Sequence, residues 1–377
     1  MTGLASPGDL PARVLLEGTS LTLPPGLRPG AESIGIPCAL RMGLDFLGDD
    51  LGLQPTGAED QAARTDALYA FLMGTSGEAF RFWETLYHYD RAADVERVLR
   101  GPLEAAGCAY ELVLPEEYAQ RIGFQGRCHT DDASRRQLLM EQLAVQAQPT
   151  VCLEAGAWPD WRLIVGYDRQ GEVLLGYGVE GTNYPPGSAQ NPLREFTVAD
   201  MPRAWLVLIG AKQAQPPLSE SYLKGLAYAL DLLRLESAGG RAEGQEAYAE
   251  WARGLEDDAA FPADDPETLQ SRYHDFLVTS AELAERRWYG VKFLEQAAQY
   301  CAADEELLAA RASLEAVHSL VREMWDLTGG PQAAEAHLLL AKRAVREQIA
   351  ARVRQAAAHE ADAADHLEGA LASLQER

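Results

Sequence analysis

The chain has 377 residues, 47% of them hydrophobic, and its 57 Asp and Glu against 33 Lys and Arg give a formal net charge of −24. This length predicts two or three domains with well-filled cores. The acidic composition argues against nucleic acid and anionic membranes as partners, since both attract basic proteins. The N-terminal residues show no secretory signal, and no apolar run reaches the length of a membrane span. We therefore expect a soluble, cytoplasmic protein.

The first half of the chain contains both helix and strand patterns. Helical spacing of apolar residues predicts helices over 33–47, 80–84, 92–100 and 132–146. Apolar runs of strand length lie over 108–114, 149–155, 162–168, 172–178 and 204–210. The turn residues 168–171 join two of these runs, so we predict a hairpin over 162–178. Because helices come early and strands late, the order favours an α+β fold.

The second half follows a predicted linker over 213–217 and is rich in Ala, Leu, Glu and Arg. We predict five or six helices over 218–375, packed as an all-α bundle. Apolar residues at helical spacing mark two faces: Leu307, Leu314, Val317, Val321 and Met324 on one, and Leu339, Val345, Ile349 and Val353 on the other. We expect Trp251, Trp288, Phe293 and Trp325 to pack inside the bundle, with Arg286 and Arg287 paired to nearby acids.

We expect no cofactor and no metal. Residues 176–181 have the form G-x-G-x-x-G, but the following TNYPPGSAQNP cannot begin the helix that a dinucleotide site needs. Glu315 and His318 make a single Glu-x-x-His step, where a di-iron bundle needs two. The five cysteines, at 38, 108, 128, 152 and 301, form no C-x-x-C pair, which indicates free thiols.

Cys38 is the candidate nucleophile. It follows Ile34-Gly35-Ile36-Pro37 and falls in the first turn of the helix predicted over 33–47. A helix N-terminus lowers the pKa of a thiol because its amide groups and its dipole favour the thiolate, which is the reactive form. The alternative is that Cys38 is a small buried apolar residue, a common role for a free cysteine.

The order of these parts resembles the papain-like cysteine fold. A cysteine opens an early helix, more helices follow, and a late hairpin reads W-R-L-I-V-G-Y-D…G-E-V-L-L-G-Y over 161–177. The chain looks closest to the bacterial branch that holds leader-peptide-cleaving peptidases and the N-terminal domain of butirosin biosynthesis protein H, an acyltransferase. The resemblance implies a papain-like domain over 1–212 and, after the linker over 213–217, an appended all-α domain over 218–377.

The resemblance also implies a catalytic histidine at the start of the first hairpin strand. That position, six residues before Gly166, is Asp160. A carboxyl group with an unperturbed pKa near 4 is a poor general acid at neutral pH, and its charge raises the pKa of a nearby thiol. His88 and His129 are the other candidate bases, and the alternative for both is an exposed or capping position.

Two further elements of the family pattern are missing. No Asp or Asn stands near Gly176-Tyr177 to orient a histidine, and no Gln precedes Cys38, since the first is Gln54. The sequence therefore predicts a degenerate papain-like module that binds a small molecule or a peptide in the ancestral cleft. The residues expected at this site are Trp158, Asp160, Trp161 and Tyr177, with Cys38 at its base.

Two other functions remain open. The first is an enzyme, either an acyltransferase or an amide hydrolase, in which Cys38 is the nucleophile and the base comes from elsewhere in the fold. The second is an interaction surface on the helical domain, which would form a homo-oligomer or bind a partner protein.

Overall fold

The structure, a computed structural model, describes residues 10–18, 34–53, 61–82, 92–154, 160–178, 192–201, 203–238, 241–301, 305–331 and 333–375. These residues form eleven α-helices and ten strands, a mixed α/β architecture. The chain divides into two compact units: residues 1–72 and 87–217 form the sheet unit, and residues 73–86 and 218–377 form the helical unit. A short internal segment of the N-terminal half thus belongs to the helical unit rather than to a continuous domain over 1–212.

The sheet unit is built on one eight-stranded sheet. Its strands are β1 (Val14–Leu15), β2 (Cys108–Pro115), β3 (Cys128–His129), β4 (Thr150–Glu154), β5 (Asp160–Asp168), β6 (Val173–Gly178), β7 (Arg194–Phe196) and β8 (Ala204–Lys212). They follow the order β3-β2-β8-β4-β5-β6-β7, and β1 pairs with β5. All neighbours are antiparallel except β2 and β3. The five predicted strands and the predicted hairpin, formed by β5 and β6, are confirmed.

Five helices begin in the sheet unit: α1 (Gly35–Leu47), α2 (Gln61–Thr75), α3 (Ala92–Ala105), α4 (Glu116–Ile122) and α5 (Asp132–Ala144). Three were predicted with slightly different ends. The pattern over 80–84 was wrong for residues 80–82, which are not helical, and residues 83–84 lie outside the described residues. Helix α2 was not predicted. Residues 67–82 are all buried, so this stretch lacks the alternation of apolar and polar faces on which the prediction depends.

Helices α1 and α5 cover opposite faces of the sheet. A Cβ atom added at Gly43 of α1 would lie 3.0 Å from a methyl group of Ile209 and 3.7 Å from Val151, so this glycine lets the helix approach the strands closely. On the other face, Leu139 of α5 packs in one cluster with Cys152 of β4. Val151 and Cys152 therefore face opposite layers, as successive residues of a strand do.

The helical unit contains six helices within its described residues: α6 (Leu218–Leu233), α7 (Gly244–Glu256), α8 (Pro266–Tyr300), α9 (Glu305–Leu327), α10 (Ala336–Leu340) and α11 (Arg343–Gln375). A two-stranded ribbon, β9 (Ser237–Ala238) and β10 (Arg241–Ala242), follows α6. The predicted inner face of α9 is fully buried. On the other predicted face, Ile349 and Val353 are buried, and Leu339 and Val345 are half-buried. No helix in the described part of the chain is long and apolar enough to cross a membrane.

The expectation for Trp288 was wrong. Its side chain is 44% exposed, whereas Phe293 and Trp251 are buried as expected. The inward positions of this part of α8 are taken by Leu283, Arg287, Val291 and Leu294, which places Trp288 at the edge of the buried face. The ring of Trp288 lies instead against the ring of His318, with 5.3 Å between centroids, and Lys292 lies over it.

Candidate functional site

Cys38 lies in the first turn of α1. Its backbone N–H donates to the Ile34 carbonyl at 3.1 Å, the bond that closes this turn. Its side chain is only 1% exposed, and its thiol donates a hydrogen bond to the Tyr69 hydroxyl, with 3.5 Å between Sγ and Oη. Cys38 is thus at a helix N-terminus, as predicted, but it is buried and its thiol is hydrogen-bonded to the side chain of Tyr69.

The direction of α1 determines which end of the sheet Cys38 approaches. Just beyond its C-terminus, Asp49 pairs with Lys212 at the end of β8, and the Leu51 carbonyl accepts from Gln215 at 3.2 Å. Cys38 lies at the opposite end of the helix, about 7.5 Å along the axis from Gly43 at 1.5 Å per residue. The N-terminus of α1 therefore points toward the end of the sheet where β8 begins.

At that end of the sheet, β4 ends and β5 begins. Ala204 of β8 pairs with Glu154 of β4, which pairs with Asp160, the first residue of β5. Asp160, the residue at the expected histidine position, thus lies at the end of the sheet toward which the Cys38 turn points. Trp158 lies outside the described residues.

Trp161 and Tyr177, the other two candidate ligand-binding residues, are interior side chains. Trp161 pairs with Leu153 and is 1% exposed. Tyr177 of β6 pairs with Leu163 of β5, is 8% exposed, and has its ring centroid 6.3 Å from that of Phe46 in α1. Burial raises the pKa of Tyr177. Both residues therefore fill the interior of the sheet unit, and little of either surface is accessible to a ligand.

Cys38 belongs to a largely buried polar cluster that we call the Cys38 cluster: Cys38, Arg41, Asp45 and Tyr69. The three α1 residues are spaced i, i+3 and i+7, so they lie on one side of the helix. Arg41 Nε lies 3.7 Å from Asp45 Oδ2, and the Arg41 guanidinium lies 5.6 Å from the centroid of the Tyr69 ring. Tyr69, from α2, therefore contacts both the thiol and the guanidinium.

The Asp45 carboxyl of this cluster titrates above its ordinary range. Burial raises the pKa of its carboxyl group from 3.8 to about 6, although the positive charge of Arg41 opposes the shift. The sequence identified Cys38 but none of its three partners. The pair of opposite charges at Arg41 and Asp45, four residues apart on an otherwise apolar helix, was the available signal.

His129 is buried and forms a hydrogen bond with the main chain of another strand of the sheet. It is 3% exposed, and its Nε2 lies 2.8 Å from the Ala204 carbonyl, which links β3 to β8. Burial lowers the pKa of His129, although the hydrogen bond to Ala204 opposes the shift. Because a carbonyl oxygen can only accept, the ring donates through Nε2. His88 lies outside the described residues. The other described histidines are all on helices of the helical unit: His274, His318, His337, His359 and His366.

The surroundings of the other four cysteines raise the pKa values of their thiols. Burial raises the pKa of Cys152 to about 12, even with the charges of Arg162 and Arg135 nearby. Burial also raises the pKa values of Cys108, Cys128 and Cys301. Since only the thiolate is nucleophilic, each of these shifts disfavours the reactive form of the thiol.

No protein-family model matches this chain, and no curated protein sequence matches it. A functional assignment therefore depends on the residues and on the geometry around Cys38.

Proposed function

We propose that this chain is a papain-like protein without catalytic activity, and that it binds a small molecule or a peptide at the end of the sheet where β5 begins and toward which the N-terminus of α1 points. Three features of the sheet unit support the fold. An early helix with a cysteine in its first turn lies on the sheet, the strands are almost all antiparallel, and the hairpin comes late in the chain. The appended six-helix unit supports the second part of the predicted architecture.

The proposal that catalysis is absent depends on the environment of Cys38. A nucleophilic cysteine needs access to substrate and a base within hydrogen-bond reach. The Cys38 thiol is buried and donates to the Tyr69 hydroxyl, a neutral group near pH 7. Asp160 stands at the expected histidine position, and His129 donates its Nε2 proton to a backbone carbonyl. Among the candidate bases in the described part of the chain, His129 is thus bonded to the main chain and the expected histidine position carries a carboxyl group, which supports a module without catalytic activity.

The reactivity of Cys38 tests this part of the proposal. We expect iodoacetamide to modify Cys38 in the native protein more slowly than Cys128, which is half-exposed and serves as an internal reference. Mass spectrometry of labelled peptides between pH 6 and 10 gives both rates from one sample. Modification of Cys38 faster than Cys128, with an apparent pKa below about 7, would support a Cys38-dependent acyltransferase or amide hydrolase instead.

The ligand is tested with a defined probe set. A library of random tetrapeptides, incubated with the full-length protein and recovered by size exclusion, identifies bound peptides by mass spectrometry. We expect bound peptides to be retained by the wild type and by Cys38→Ser and to be lost in Trp158→Ala. Equal retention by Trp158→Ala contradicts binding at the predicted site, and a hydrolysed peptide that appears only with an intact Cys38 contradicts the absence of catalysis.

A further inference from the structure

The segment Ser76–Phe82, which we call the strap, follows α2 and lies within the helical unit. It has no helix or strand structure, yet every one of its residues is buried. Three of them are polar or charged: Ser76, Glu78 and Arg81, which are 0%, 1% and 4% exposed. Buried polar groups require partners, and the helices of this unit supply them.

The helical unit binds the main chain of the strap. Arg286 Nη1 of α8 donates to the Glu78 carbonyl at 2.8 Å, and Arg287 Nη1 donates to the Ala79 and Arg81 carbonyls at 2.8 and 3.2 Å. The N–H of Gly244, at the start of α7, donates to the Phe82 carbonyl at 2.9 Å. Four carbonyls of one short segment therefore accept hydrogen bonds from α8 and α7.

The side chains of the strap are also recognised individually. The Glu78 carboxylate pairs with Arg286, and Arg81 Nη2 donates to the Tyr228 hydroxyl at 3.1 Å. Phe80 packs edge-on against Phe293 with centroids 5.9 Å apart. Phe82 stacks on Tyr248 at 4.2 Å and lies 5.7 Å from the ring of Trp251. Charged and aromatic residues thus alternate in their contacts, as in the recognition of a bound peptide.

Glycines on both sides allow this close fit. Gly77 has φ +80°, and a Cβ atom there would lie 2.5 Å from a methyl group of Leu232 and 2.6 Å from the Tyr228 ring. On the opposite side, a Cβ atom at Gly290 of α8 would lie 3.4 Å from the Ala79 carbonyl oxygen. The strap and α8 therefore meet along surfaces on which even one added methyl group is crowded.

The helix residues that bind the strap also form hydrogen bonds with other helices of the helical unit. Arg287 also donates through Nε to Glu360 of α11, which accepts from the Tyr248 hydroxyl of α7. Arg287, Glu360 and Tyr248 are all at most 1% exposed. Removal of the strap would deprive Arg286 and Arg287 of their carbonyl partners in the centre of this network, where uncompensated charge is strongly unfavourable.

From these contacts we propose that the strap is an intramolecular peptide ligand of the helical unit. The unit folds around it, recognises its carbonyls together with Glu78, Phe80 and Phe82, and accepts the same sequence supplied as a separate peptide when the covalent strap is weakened. This proposal does not depend on the binding function of the sheet unit.

Hydrogen exchange of the full-length protein, read peptide by peptide by mass spectrometry, tests it. We expect Phe82→Ala to accelerate exchange in α7, α8 and α11 about tenfold or more while α1 is unchanged. A synthetic peptide of residues 73–82 should restore the slow exchange. The same peptide with Glu78→Gln and Phe80→Ala should fail to restore it.

Glu282→Ala is the matched control, because Glu282 also pairs with Arg286 but comes from α8 itself and lies 3.9 Å away. It should accelerate exchange less than Glu78→Ala does. Unchanged exchange in Phe82→Ala, no rescue by the peptide, or equal rescue by the altered peptide would each overturn the proposal. If Phe82→Ala does not fold, Phe82→Leu, which keeps an apolar side chain, is tested against the same three outcomes.

Discussion

The two units each bury charged groups, and they compensate them very differently. In the Cys38 cluster, one carboxyl faces one guanidinium at 3.7 Å, and burial raises the carboxyl pKa to about 6. In the helical unit, Arg286 and Arg287 each contact a carboxylate and at least one main-chain carbonyl. The Asp45 carboxyl thus lies beyond hydrogen-bond distance of Arg41 Nε, whereas Glu78 and Glu360 accept hydrogen bonds from Arg286 and Arg287.

The difference predicts that the charges in the helical unit maintain the structure, whereas the Cys38 cluster changes its protonation with pH. Buried charges with several short contacts hold a structure together and are damaging to disrupt, because each removed partner leaves another charge uncompensated. A carboxyl group whose pKa burial raises to about 6, such as Asp45, changes its protonation state near neutral pH. We therefore expect mutations in the helical unit to have large structural effects and the Cys38 cluster to respond to pH.

Arg287→Ala should have the largest effect. It removes the charged partner of Glu360 and the Arg287 hydrogen bonds to the carbonyls of Ala79 and Arg81, and removal of one partner from a buried ion pair lowers the free energy of unfolding by about 3–5 kcal/mol. Urea unfolding followed by hydrogen exchange in α8 measures it. Arg352→Ala is the control, since Arg352 is one-third exposed and pairs with Glu323 on the surface. Equal losses in both variants would show that the buried network around Arg287 contributes no more than a surface ion pair.

Gly77→Ala should be the next most damaging change. Its positive φ and the nearby Leu232 and Tyr228 side chains both oppose a Cβ atom, and backbone strain of this kind lowers stability by about 1–3 kcal/mol. Gly330→Ala separates the two causes because Gly330 has φ +98° but nothing within 4 Å of the added atom. We expect the larger loss in Gly77→Ala by thermal unfolding. Equal losses would assign the effect to the backbone alone.

The pH dependence of the sheet unit should follow Asp45. Its pKa is higher in the folded than in the unfolded state, so its contribution to stability is greatest at acid pH and is lost as the pH rises through about 6. When the pH is lowered from 7 to 5, protonation of this group should raise the free energy of unfolding by about 1 kcal/mol. The measurement is the difference in unfolding free energy between the wild type and Asp45→Asn at each pH. A difference that is constant over this range would contradict the assignment.

The hydrogen bond between Cys38 and Tyr69 should make the smallest contribution. A thiol is a weak donor, so we expect a coupling free energy of about 0.5–1 kcal/mol between the two side chains. A double-mutant cycle of Cys38→Ala and Tyr69→Phe, with exchange in α1 as the readout, isolates it. A coupling near zero would show that burial alone, and no specific hydrogen bond, determines the environment of the thiol.

Much of the fold was accessible from sequence because it depends on local patterns. Strands β2, β4, β5, β6 and β8 alternate apolar residues or carry short apolar runs bounded by turns, and the helices of the second half present one apolar stripe each. Helix α2 and the strap lack both signals. Residues 67–82 are buried on every side, so neither a period of two nor a period of 3.6 appears.

The amino-acid sequence by itself determined the α+β pattern of the first half, the helices of the second, and the position of Cys38 in the first turn of a helix. Tertiary structure alone decided that the Cys38 thiol is buried against Tyr69, that Asp45 titrates near pH 6, and that Ser76–Phe82 belongs to the helical unit. The physical reason is the range of the interactions. Periodicity and capping act within a few residues, whereas burial and charge compensation depend on groups such as Glu78 and Arg286 that are distant in the chain.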